Sequence, residues 1–173
     1  MPTESGTPAA AGGDERARTR LTIALLASVA VVQVAGMLSR GLPGPTDIAM
    51  HSVVVLPAAG FAIGLARGLR LRIGILAFAL LWSALSIWAA VETTRFAKTY
   101  AETYAATQPG LAIALKPISP WFARVVGGRC LCFTAAAIAL VTARPTRGRR
   151  GAGVVLGVLF LVLFVIEHVY QRG

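Results

Sequence analysis

Long apolar blocks alternate along the chain with short polar segments rich in arginine. Five blocks of 18 to 24 residues lie at 21–38, 47–69, 72–91, 120–143 and 152–170. An α-helix needs about 20 apolar residues to cross the hydrocarbon core of a bilayer, so each block predicts one membrane span. The pattern therefore predicts an all-α protein, a polytopic transmembrane helical bundle with five spans over residues 21–171.

The segments outside these blocks are short. Residues 1–20 are rich in alanine, glycine, proline and threonine without a hydrophobic period, which predicts a disordered cytoplasmic tail. The longest connection is an outer loop, residues 92–119, whose first part can continue as helix as far as Pro109. No segment is large enough for a catalytic domain outside the membrane, and we expect any function to lie in the bundle or at its outer face.

Composition supports a membrane protein and argues against a nucleic-acid-binding one. Apolar residues make up 56% of the 173 residues, above the roughly 45–50% typical of soluble domains. The net charge of +10 comes mainly from arginines between the apolar blocks, where membrane topology accounts for them. No phosphate-binding loop or RNA-binding signature accompanies them, so we expect the bilayer, and not nucleic acid, as the partner.

The arginines also predict how the chain is threaded. The tail, residues 67–72 and residues 144–150 hold three, three and four arginines, and every second connection belongs to this set. Basic residues in short loops stay on the cytoplasmic side. The prediction is five spans with the N-terminus inside and the C-terminus outside. This agreement supports the fourth span although Arg124 and Arg129 interrupt it.

Two histidines are the candidate ligands for a cofactor. His51 lies about 7 Å below the outer end of the second span, and His168 about 3–6 Å below the outer end of the fifth. Histidines at one depth on facing helices are what bis-histidine ligation of haem b requires. Asp47 shares a helix face with His51 and could complete a metal site. The alternative is that these residues, like Glu167 and Gln171, are ordinary polar residues at a helix boundary, in which case no cofactor is expected.

Arg129 is the deepest charge in the predicted bundle, roughly 13 Å along its helix from Pro120. An arginine at that depth costs about 3 kcal/mol on insertion scales, so we expect it to face the interior and to be paired. Glu92, a haem propionate and an anionic lipid headgroup are candidate partners, and snorkelling outward is the alternative. A water-lined cavity around Gln33 and Arg129 would instead indicate a transporter subunit.

Small residues suggest packing roles. Gly60, Gly64 and Gly68 recur every four residues and predict a face where a neighbouring helix, from this chain, a homo-oligomer or another membrane protein, can approach closely. Cys130 and Cys132 point to nearly opposite sides of a helix, so we interpret them as apolar fillers and not as a chelating pair.

The sequence resembles a group of small uncharacterised bacterial four-helix integral membrane proteins. The likeness rests on "VVQVAGM" at 31–37, on His51 with glycines after it, and on "IALKPISP" at 113–120. Such proteins often have Ala-Leu-His-Pro where this chain has Ala-Leu-Lys-Pro, and Lys116 cannot ligate haem as histidine does. The fifth span is also additional to their plan. The resemblance implies a membrane bundle and no particular activity.

No arrangement of residues specifies an enzyme: the sequence has no Ser-His-Asp set, no H-E-x-x-H motif and no paired carboxylates. The expectation is a small multi-pass membrane protein without catalytic residues, acting as a structural, accessory or interaction subunit. Haem-mediated electron transfer through His51 and His168 is the competing hypothesis, and a transporter subunit is the third.

Overall fold

The computed structural model describes residues 8–38, 43–105, 120–142 and 146–172, whose regular structure is entirely helical. The five helices are α1 Pro8–Leu38, α2 Pro45–Ala66, α3 Arg72–Ala105, α4 Pro120–Val141 and α5 Arg147–Arg172. Each contains a stretch long and apolar enough to cross a membrane. The prediction of an all-α chain with five helices of membrane-spanning length is therefore confirmed.

Polar contacts place several helix ends side by side. Three of them are Arg18 Nη1 to the Thr142 carbonyl at 3.1 Å, Arg72 Nη2 to Glu15 Oε1 at 3.3 Å, and Arg150 Nη1 to Asp14 Oδ1 at 2.9 Å. The starts of α1, α3 and α5 thus meet the end of α4. We call this the arginine-rich end of the bundle, comprising residues 14–20, 67–72 and 146–150, and the other the opposite end.

The first turns of α1 correct one sequence-based expectation. Residues 8–20 were predicted to belong to a disordered tail, but they are helical and continuous with the apolar stretch. Alanines 9–11 have the highest helix propensity of any residue type. Asp14 and Glu15 then add ion pairs with arginines at the starts of α5 and α3. Residues 1–7 lie outside the described part of the chain.

Helix α4 is the central element of the bundle. It packs extensively against α3 on one side and α5 on the other, whereas α2 packs mainly against α1. Half of the apolar span of α4 is buried, against 11% of the spans of α2 and α5. Among the five spans it is also the least apolar. A helix surrounded by protein can hold polar residues that would be costly against lipid. The burial of α4 therefore explains why its span is less apolar than the others.

Aromatic rings join α4 to its two neighbours, α3 and α5. The ring centroids of Trp82 on α3 and Phe133 on α4 lie 4.8 Å apart in an edge-to-face arrangement. Phe160 on α5 lies 5.4 Å from Phe133 and 6.0 Å from Trp82. Edge-to-face pairs place the positive ring edge against the negative face and stabilise the cluster beyond simple contact. Phe133 and Phe160 are both fully buried, so this cluster is the main core.

Close packing of α4 against α5 depends on glycines other than those predicted. A Cβ atom on Gly153 would lie 2.8 Å from the Leu140 side chain, so only glycine fits there without a shift. Gly128 of α4 faces Leu163 of α5 at 3.5 Å from its Cβ position, and Gly36 of α1 faces Phe164 of α5 at 3.6 Å, both ordinary van der Waals distances. Small residues let membrane helices approach closely. Gly157, four residues after Gly153, instead faces Leu25 of α1, 3.6 Å from its Cβ position.

The predicted glycine face on α2 does not form as one packing surface within the chain. Gly68 lies beyond the helix at φ +81°, and its N–H donates to the Leu65 carbonyl while that of Leu69 donates to Gly64. These bonds form a Schellman cap, which ends the helix at a left-handed glycine. Gly64 is buried against the leucines of that turn, and Gly60 is exposed with no atom within 4 Å of its Cβ position. Contact of Gly60 with a partner molecule stays a prediction.

Candidate functional site

A buried ion pair between α4 and α5 is the most unusual chemical feature of the bundle. Arg129 Nη1 lies 2.7 Å from Glu167 Oε2, and the two side chains are only 7% and 12% exposed. Arg129 comes from the third turn of α4, and Glu167 ends the apolar stretch of α5. Because α4 and α5 run in opposite directions, both residues lie in the half of the bundle toward the opposite end.

Two aromatic rings flank the guanidinium. Arg129 Cζ lies 5.7 Å from the ring centroid of Trp82 and 5.5 Å from that of Phe164. An aromatic face attracts a cation, and the attraction grows when both groups are removed from water. Arg129 Nε is buried without a hydrogen-bond partner among the described residues. The ring faces and the carboxylate of Glu167 therefore provide the electrostatic stabilisation of this cation.

Hydroxyl groups connect α3 to α4 one turn away. Ser83 Oγ donates to the Cys130 carbonyl at 3.2 Å and lies 2.8 Å from Thr134 Oγ1, which also lies 3.5 Å from the Ala79 carbonyl. Hydrogen bonds of this kind between membrane helices contribute roughly 0.6 kcal/mol each. Together with the ion pair they give α4 polar contacts to both of its main neighbours.

The prediction that Arg129 is internal and paired is confirmed, but Glu92 is not its partner. Glu92 Oε1 lies 3.2 Å from Arg95 Nη1, one turn along the same helix. Glu167 was expected only to be a boundary residue, and its pairing with Arg129 was not predicted. The available signal was its position, since it is the only acidic residue in the last apolar block. Gln33 is partly buried on α1, whereas the described partners of Arg129 come from α3 and α5.

The two histidines lie on helices that do not pack against each other. His51 is partly exposed in the second turn of α2, while the His168 side chain lies outside the described residues. Helices α2 and α5 each contact α1, and Gly36 near the end of α1 faces Phe164 of α5, one turn before His168. The end of α1 thus lies beside the part of α5 where a bridging haem would bind. Haem ligation by His51 and His168 stays a prediction.

A metal site at the start of α2 is likewise without structural support. The side chain of Asp47 is outside the described residues, so its relation to His51 is a sequence prediction only. Over the part of the chain that the structure describes, no three His, Cys, Asp or Glu side chains gather where they could hold a metal ion.

The cysteines lie on different sides of α4. Cys130 is fully buried with Ala90 and Val126, and Cys132 packs against the aromatic core. Both thiols are free. Their separation agrees with the interpretation that they fill space and do not chelate an ion.

The arrangement around Arg129 is suited to holding helices together. The cation pairs with the anion, the two hydroxyls contact each other and backbone carbonyls, and none of the described contacts leaves a nucleophile beside a general base. Comparison with protein-family models, with curated proteins and with solved structures finds no match to this chain.

Proposed function

We propose that this chain is a small integral membrane protein that acts as a structural or interaction subunit and not as an enzyme. Its outer surface supports insertion in a bilayer. Large apolar side chains are exposed along α2 and α5, among them Val53, Leu56, Val155 and Val165, each at least 58% exposed. Soluble monomers rarely expose contiguous apolar patches larger than a few hundred Å². Lipid chains would cover such faces without cost.

The distribution of arginines supports one orientation in the membrane. The described arginines of the tail, of residues 67–72 and of residues 149–150 all lie at the arginine-rich end. Under the positive-inside rule this end faces the cytoplasm, which places the N-terminus inside and the C-terminus outside. The resemblance to small bacterial membrane proteins favours the bacterial cytoplasmic membrane.

Cysteine labelling tests this orientation. In a chain carrying Cys130→Ala and Cys132→Ala, we expect Thr103→Cys to react with a membrane-impermeant maleimide in intact cells, because Thr103 is exposed beyond the span of α3. Gly148→Cys, exposed at the start of α5, should react only after the membrane is permeabilised. Equal labelling of both positions in intact cells would refute the proposed threading.

The closed ion pair is the observation that carries the functional proposal. A transport or proton-relay site must exchange its ligand with water on at least one side of the membrane. Arg129 and Glu167 instead bury about nine-tenths of their side chains against each other and against Trp82 and Phe164. We infer that the pair fixes α5 against α4. The resulting rigid bundle presents the largely unburied spans of α2 and α5 to lipid and to other membrane proteins.

The native Cys130 reports on access to this site, because its fully buried side chain is adjacent to Arg129 on α4. In a Cys132→Ala background, we expect a charged methanethiosulfonate reagent to leave Cys130 unmodified from either side of the membrane. Denaturation in sodium dodecyl sulfate should then expose it fully. Thr103→Cys in the doubly cysteine-free chain provides the matched accessible control. Modification of Cys130 at the rate of position 103 would favour a water-lined transporter site instead.

A further inference from the structure

A cleft at the arginine-rich end is separate from the ion pair and unexplained by it. It has a volume of about 600 Å³ and lies between the first turns of α1, the turn from α2 to α3 and the end of α4. That volume falls within the roughly 300–1,000 Å³ of ligand-binding pockets. The cleft opens outward at the level where the proposed orientation puts the lipid headgroups of the cytoplasmic leaflet.

Positive charge dominates the lining of this cleft. One glutamate and five arginines contribute: Glu15, Arg16, Arg18, Arg20, Arg70 and Arg72. Glu15 Oε1 pairs with Arg72 at 3.3 Å and with Arg18 at 3.7 Å. Arg18 is buried and also donates to the end of α4, so it helps to shape the cleft.

The other three arginines supply charge that no described acidic side chain neutralises. Arg16, Arg20 and Arg70 are exposed and have no acidic partner among the described side chains. They come from two separate segments of the chain, and the fold brings them to one cleft. Guanidinium groups match the geometry of phosphate oxygens and bind them with two parallel hydrogen bonds.

Apolar side chains form the other part of the cleft lining. Leu71, Ile75, Leu140 and Val141 line it, and Ile75 and Val141 belong to a buried cluster with Leu26. A freely soluble phosphate would gain nothing from this surface. An amphiphile with an anionic headgroup and a hydrocarbon chain would contact both the arginines and the leucines.

We propose that this cleft binds the phosphodiester headgroup of an anionic phospholipid, with Arg16, Arg20 and Arg70 contacting the phosphate and the apolar part of the lining receiving the start of an acyl chain. Basic pockets between helices on the cytoplasmic side are a recognised form of lipid-binding site. The inference rests on the proposed membrane orientation. It adds a defined ligand class to a protein otherwise argued to be structural.

Native mass spectrometry of the full chain, extracted from vesicles of equal phosphatidylglycerol and phosphatidylcholine, tests the proposal. Wild type should retain phosphatidylglycerol in preference to phosphatidylcholine. The variant carrying Arg16→Gln, Arg20→Gln and Arg70→Gln should lose about tenfold or more of that preference, since each basic residue near the surface contributes to anion binding. All three positions are exposed, so the variant should fold, which thermal unfolding checks.

A charge-matched variant separates a site from general attraction to an anionic surface. Arg67→Gln with Arg149→Gln removes two charges from exposed positions at the arginine-rich end that do not line the cleft, and should change the preference less than about twofold, whereas Arg16→Gln with Arg70→Gln should reduce it clearly more. Equal losses in both variants, or no preference in wild type, would overturn the proposal. Displacement of the lipid by inorganic phosphate alone would assign the cleft to a soluble anion. Labelling of Gly148→Cys in the same vesicles distinguishes a failure of the orientation from a failure of the cleft.

Discussion

Replacing Glu167 with glutamine is expected to lower the free energy of unfolding by about 3–5 kcal/mol, the range for breaking a buried ion pair by removing one partner. The substitution keeps the shape of the side chain but leaves the Arg129 guanidinium buried without a counter-charge. A neutral amide and the rings of Trp82 and Phe164 would then face the cation. Reversible unfolding in bicelles by titration with dodecyl sulfate measures the change.

Glu92→Gln is the matched control for this substitution. Glu92 also pairs with an arginine, but both side chains are substantially exposed, at 45% for Glu92 and 74% for Arg95. Exposed pairs typically contribute no more than about 1 kcal/mol, so the control should unfold nearly as wild type does. Replacing both buried partners with apolar residues, Arg129→Met together with Glu167→Leu, should recover most of the lost stability. Equal effects of Glu167→Gln and Glu92→Gln would contradict a buried structural pair.

Replacing Phe133 with alanine is expected to destabilise the bundle by about 3–5 kcal/mol, the usual effect of truncating a fully buried phenylalanine. Phe133 is 0% exposed and contacts the rings of Trp82 and Phe160. Within a bilayer, helix association depends on van der Waals packing more than on exclusion of water. The cavity left between α3, α4 and α5 would remove many such contacts at once.

Leu131→Ala on the same helix is the control for Phe133→Ala. Leu131 is 69% exposed on α4, so its truncation removes contacts with the surroundings and not with the core. The same unfolding titration should show a change below about 1 kcal/mol, typical of surface substitutions. Loss of stability at position 131 comparable to that at 133 would mean that the outward face of α4 is also packed against protein.

The number of helices could be predicted because a membrane span needs about 20 consecutive apolar residues. Few other structures require so long an apolar stretch. The first turns of α1 were missed for the opposite reason. Residues 8–20 have no hydrophobic period, and their helix makes ion pairs through Asp14 and Glu15 with α5 and α3. Such contacts depend on the spatial arrangement of helices, which local composition does not encode.

The pairing of Arg129 also shows the difference between what local sequence determines and what the spatial arrangement of helices determines. Depth alone predicted that Arg129 would be internal and paired, because an isolated cation there is costly. The choice of Glu167 over Glu92 depends on how α4 and α5 are rotated about their axes, which side-chain packing between helices determines and local sequence does not encode. Gly68 was misassigned because a repeat of four residues does not distinguish a packing face from the cap that ends a helix.

A double-mutant cycle between Arg129 and Glu167 tests whether this pair joins α4 to α5 inside the bundle. Unfolding free energies of wild type, Arg129→Met, Glu167→Leu and the double variant give the coupling between the two side chains. Each single variant should lose about 3–5 kcal/mol while the double variant stays near wild type, so we predict a coupling above the roughly 0.5–3 kcal/mol usual for contacting residues. If the two single effects instead add to within about 0.5 kcal/mol, the side chains do not interact in the folded protein and the account is contradicted.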